Sequence, residues 1–143
     1  MSITLEAANR IIAQALKIAR ERGFSPITIC VLDRGGHLVS AQREDESAIL
    51  RFEIAFGKAW ASLGVGHSSR FLQDKLAVQR PHFLDAMAAA SGGRFIPVAG
   101  GVLVREDGGT LVGAVGVTGD SADNDELIAV AAIEHCGFRV DLS

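Results

Sequence analysis

Apolar residues recur at helical spacing in several stretches of the chain and crowd into short β-branched runs between them. Leu5, Ala8, Ile12, Ala15, Leu16 and Ala19 follow the helical i, i+3, i+4 recurrence, the stripe of an amphipathic helix with one buried face. Thr4 is placed to cap this helix and Gly23 to stop it. Ile27 to Leu32 is a continuous apolar run, which predicts a buried strand. Asp33-Arg34-Gly35-Gly36 predicts a tight turn, and His37 to Arg43 the returning strand of a hairpin. Glu44 to Ser47 then opens a long helix with the stripe Ala48, Phe52, Ala55, Phe56, Ala59, Trp60 and Leu63, ended by Gly64-Val65-Gly66. Ser68 is placed to cap a shorter helix from Ser69 to Val78, and Pro81 suits the start of another that reaches Ala90.

Beyond Gly92 and Gly93 the pattern returns to strands. Phe95 to Val98 predicts a short edge strand, since Pro97 removes a ladder donor. Gly101 to Arg105 and Thr110 to Thr118 predict a second hairpin, turning at Asp107-Gly108-Gly109. Its returning strand carries Gly113 and Gly116, with Gly119 just beyond. Glycines in a strand weaken it unless another backbone or a ligand comes close. The last helix, Asp123 to Cys136, has acidic residues in its first turn, which suit the positive end of the helix dipole. Its middle, Leu127 to Ile133, is apolar all round, so it is expected to be buried on several sides, inside the domain or at a subunit contact. Strands that come in adjacent pairs exclude right-handed βαβ units. The order predicts an α+β fold, with roughly five antiparallel strands in one sheet covered by helices on both faces.

Composition narrows the class. A chain of 143 residues, 48% apolar and 22% charged, is expected to be one domain spanning residues 1–143. A net charge of −3 gives no pull toward nucleic acid or an anionic membrane surface. No apolar run is long enough to span a bilayer, and the first residues lack a secretory layout, so a cytoplasmic protein is expected. Cys30 and Cys136 lie far apart in apolar surroundings, which reads as reduced thiols rather than a disulfide or metal pair.

Three stretches, in order, resemble the GlcG/HbpS family, also called the haem-degrading domain family. The first is Val31-Leu32-Asp33-Arg34-Gly35-Gly36-His37-Leu38 after the opening helix. The second is Arg43-Glu44-Asp45 leading to Lys58-Ala59 and Ala61. The third joins Gly100-Gly101 to Gly113-Ala114-Val115-Gly116-Val117-Thr118-Gly119 and to Asp125-Glu126. The resemblance covers nearly the whole chain. It implies a profilin-like fold, a homo-oligomer, and association with haem binding, haem degradation and operons for small organic molecules. Val102-Leu103 stand where the family often has Pro, Thr118 where it has Ser, and Asn124 where it has Gln.

The chemistry-bearing residues fall into a small set. Arg43 and Lys58 can hold a carboxylate, or else be a strand-end cation paired with Asp45 or Glu46 and a solvated helix charge. Gly100 and Gly101 can offer backbone amides to an anionic oxygen, or form a turn or bulge. Asp125 and Glu126 either cap the last helix or bind a ligand; Glu126 is the freer of the two to act as a general base. Lys58 and Glu126 are therefore the catalytic candidates, and Arg43, Lys58, Gly100, Gly101, Thr118 and Asp125 the ligand-binding candidates. His37, His67, His82 and His135 match no metal motif, and no metal site is expected. The resemblance implies a small-molecule-binding protein of the haem-binding or haem-degrading type, with haem as the cofactor candidate. The residues alone also fit a metal-independent enzyme acting on a small carboxylate-bearing metabolite by proton transfer, lyase or hydrolytic chemistry. Both readings require the named groups to surround one hollow.

Overall fold

A computed structural model describes all residues, Met1–Ser143. Helix α1 (Leu5–Glu21) starts where the Thr4 hydroxyl accepts a 3.1 Å hydrogen bond from the Ala7 amide. Strands β1 (Thr28–Asp33) and β2 (Leu38–Arg43) form the first hairpin. Helix α2 (Arg51–Val65) is followed by α3 (Ser69–Phe71), a π-helical turn (Leu72–Leu76), α4 (Ala77–Gln79) and α5 (Pro81–Ala90). Strands β3 (Gly101–Arg105) and β4 (Leu111–Thr118), helix α6 (Ala122–His135) and strand β5 (Arg139–Asp141) complete the chain.

The five strands form one antiparallel sheet in the order β2-β1-β4-β3-β5. Side chains alternate across it. Ile29, Val31, Val115 and Val117 face α1 and α6, where they join Ile11, Ile12, Ile128 and Ile133 in the larger core. Cys30, Leu32, Leu103 and Ala114 face α2, against Ala55 and Ala59. Helices therefore cover both faces, as the strand pairing and apolar stripes predict. The glycine-bearing strand is where α2 comes closest: a Cβ at Gly116 would run into the Ala55 carbonyl, and one at Gly101 into that of Lys58.

Three local expectations change. Residues 44–50 form turns, and α2 begins only at Arg51. Glu44 accepts the Ile27 amide and pairs with Arg20, the Ser47 hydroxyl bonds to Thr28, and Glu46 takes a left-handed φ of 71°. These side chains tie the segment to β1 rather than to a helix. Residues 95–98 make no strand: Phe95 is buried with Ala61 and Leu72, and Ile96 donates to the Gly57 carbonyl on α2. The fifth strand is Arg139–Asp141, paired with β3. Ser68 occupies the N-cap position of α3, but its hydroxyl makes no capping bond and serves the sheet edge instead, accepting from Leu103 at 3.0 Å and donating to the Asp141 carbonyl.

Candidate functional site

Lys58 is the largest fully buried polar side chain, only 2% exposed. Its ammonium donates to the Val117 carbonyl at 3.0 Å and to Asp125 Oδ2 at 3.2 Å. Asp125, 1% exposed, also accepts the Asp120 amide through Oδ1 at 2.9 Å. Burial pushes the Lys58 ammonium down and the Asp125 carboxyl up, and their mutual attraction opposes both shifts. Gly100 packs on Lys58 and the Val117 carbonyl, and its φ of 124° suits a residue without a side chain. Its carbonyl accepts the Val117 amide at 2.9 Å. The Gly101 amide donates to the Ser69 hydroxyl at 2.7 Å, so it is not turned toward a ligand.

Glu126 belongs to a different cluster. Arg70 grips it through Nε at 3.0 Å and Nη2 at 3.1 Å, and also binds Asp123 and Asp74. Arg43 lies at the end of β2, exposed, donating from Nη1 to the Ser47 carbonyl at 2.7 Å. The fold thus brings Lys58, Gly100 and Asp125 together as a closed knot, while Arg43 and Glu126 stand apart from it. The single hollow expected from the sequence is not formed within one chain.

Thr118, a ligand-binding candidate, is held by an arginine from α2. Arg51 Nη1 donates to its hydroxyl at 2.8 Å. The sequence pattern carries no signal for Arg51, because it opens the helix at Glu44 to Ser47 and only the fold makes Arg51 its first residue.

On the opposite face, α1 and the end of α6 border a groove of about 390 Å³ lined by Arg10, Ala13, Gln14, Lys17, His135 and Cys136. Arg10 and Lys17 stand seven residues apart, on one side of α1. His135 is the last residue of α6 and Cys136 its cap. Burial raises the Cys136 thiol, with Arg10 pulling it down, so the sulfur is held toward its neutral form. An imidazole and a thiol beside two cations fit the donor set of haem, which takes an iron ligand of this kind and carboxylate-binding cations. Of the two, His135 would be the better ligand, because metals bind the thiolate rather than the thiol. The other histidines are elsewhere, with His67 stacked on Phe71 at 4.2 Å between ring centres.

A five-stranded antiparallel sheet between helical layers, with clefts of small-molecule size, defines a profilin-like domain. This chain belongs to the HbpS-like family of haem-degrading proteins, which it matches over residues 3–134. It is 29% identical over 133 residues to a 15.0 kDa protein from the dhaT–dhaS intergenic region of Citrobacter freundii, covering 93% of this chain and 91% of that one. The crystal structure of ORFY from Klebsiella pneumoniae superposes with a TM-score of 0.82 at 31% identity, over 94% of this chain and 89% of that one. A PduOC–haem complex superposes with a TM-score of 0.84 over 99% of each chain; at 22% identity it shows the shared fold.

Proposed function

We propose that this protein binds haem or a closely similar carboxylate-bearing small molecule in the groove between α1 and α6. The observation that carries the reading is the meeting of Arg10, Lys17, His135 and Cys136 around one groove. Membership of a haem-degrading family, and a neighbour of the same fold that holds haem, support it. Arg10 and Lys17 would take the propionates and His135 the iron; bound iron would supply redox and oxygen chemistry. Lys58, Asp125, Gly100 and Gly101 serve this site indirectly, by fixing α2 and α6 against the sheet. The groove is open, and α5 has ten residues of which none is buried. The same reading therefore has the protein assembling with copies of itself.

Ferric haem titrated into the full chain should give a Soret band with a sharp stoichiometric endpoint. His135→Ala should shift the band and weaken binding by roughly tenfold or more. Arg10→Ala with Lys17→Ala should weaken binding with little change in the spectrum. A sloping titration without an endpoint, or one that none of these variants alters, overturns the proposal. Sedimentation of the free chain as a monomer at micromolar concentration overturns the assembly.

A further inference from the structure

The far end of the sheet, on the α2 face, holds two arginines that make no direct ion pair. Arg43, Thr28 and Thr118 are directly opposite one another across β2, β1 and β4, so their side chains emerge on one face. Strands about 4.8 Å apart put this row within roughly 10 Å from end to end. Arg51 leans over the far end of the row, on the Thr118 hydroxyl. The Thr28 hydroxyl bonds to that of Ser47, 2.8 Å away, and Arg43 donates to the Ser47 carbonyl.

Both guanidinium groups are left without a carboxylate partner in a chain that is acidic overall. Neither Arg43 nor Arg51 forms an ion pair, whereas Arg20, Lys58, Arg70 and Arg105 all do. Of the nearby acids, Glu44 is committed to Arg20 and the Ile27 amide, and Asp125 to Lys58. Asp45 and Glu46 share the loop with Arg43 and pair with neither arginine. Beside Arg43 and Thr28 an open groove of about 430 Å³ is completed by Ala41, Gln42, Ile49 and Phe52. Ile49 is 87% exposed, an apolar side chain left bare at the groove wall.

We propose that this sheet end binds a short-chain organic carboxylate, held by Arg43 and Arg51 around the Thr28 hydroxyl, with its carbon chain against Phe52 and Ile49. Guanidinium groups match a carboxylate in geometry and charge, and Thr28 lines the same groove as Arg43. The site lies on the opposite face of the sheet from the α1–α6 groove, so it stands or falls independently of haem binding.

The test is an amide-resolved NMR titration of the full chain with propionate, using sodium chloride and inorganic phosphate as controls. The Thr28, Ser47 and Thr118 amides should shift saturably with propionate and not with chloride. Arg43→Gln and Arg51→Gln should each weaken the binding by roughly tenfold or more. Arg51→Lys should recover part of it, and the haem titration should be unchanged in all three. Arg43 is exposed, so its variant carries the test even if Arg51→Gln lowers stability. The proposal is overturned if propionate moves these amides no more than chloride does, or if phosphate saturates the site and propionate does not. It is also overturned if Arg43→Gln binds propionate as tightly as the parent. His135→Ala should retain propionate binding whatever it does to haem.

Discussion

A lysine as deeply enclosed as Lys58 depends on its acceptors. Removing one partner of a buried ion pair leaves the other charge stranded, which costs about 3–5 kcal/mol, whereas replacing both with apolar groups is often close to neutral. Lys58→Met should therefore lower the urea midpoint sharply, and the double change Lys58→Met with Asp125→Leu should recover much of the loss. A double variant no better than the single one would show that the pair is not the source of the cost. Asp120 predicts the acid limb of stability. Its carboxylate accepts from the Asn124 side chain and from the Ser25 and Ser121 amides, which holds its pKa well below the ordinary 3.8. A carboxyl depressed in the folded state contributes stability above its unfolded value and loses that contribution as pH falls through it. Denaturation followed from pH ~5 to ~2 should show a shallower loss for Asp120→Asn than for the parent. At this scale the sequence was partly legible. The type and place of Lys58 and Asp125 could be read, but their mutual burial could not, because it arises where α2 settles onto strand positions without side chains. Arg10 and Lys17 are helical neighbours by spacing alone; their meeting with His135 depends on how α6 packs on α1.

Among the elements, β3 has an unusual edge. β5 pairs only with Leu103, Val104 and Arg105. The Ser69 hydroxyl takes over beyond it, accepting from the Gly101 amide at 2.7 Å and donating to the Gly101 carbonyl at 3.1 Å. Ser68 adds the bond from Leu103. Two side chains thus stand in for the missing length of strand. Ser69→Ala leaves a buried donor and acceptor unmet and should cost about 1–3 kcal/mol, measured by chemical denaturation. Gly116→Ala tests the contact between α2 and β4. Its methyl group would have to displace the Ala55 carbonyl, and a loss of about 3 kcal/mol or no soluble protein is expected. The strong periodicities of α1, β1 and both hairpins were readable because each follows from its own residues. The start of α2 and the fifth strand were not. The first is set by bonds from Glu44 and Ser47 to distant β1, and the second is a three-residue segment that owes its conformation to β3.

Taken whole, the molecule divides its core unevenly across the sheet. The α1–α6 side has the larger, mostly aliphatic packing, and the α2 side has a smaller cluster edged by Phe52, Phe56 and Trp60, together with the buried pair. Each side ends in a groove with its own cations, so the two proposed ligands have separate entrances. No helix is long and apolar enough to cross a membrane. Cys30, at the centre of the sheet and without exposed surface, has its thiol pushed up to about 12 by burial. Cys136 is partly open at the end of α6. An alkylating reagent should therefore modify Cys136 before Cys30, which it reaches only when β1 comes away from its neighbours. The slower reaction is a built-in clock for global opening, and the delay that bound haem or propionate adds to it would report each ligand's grip on the intact fold.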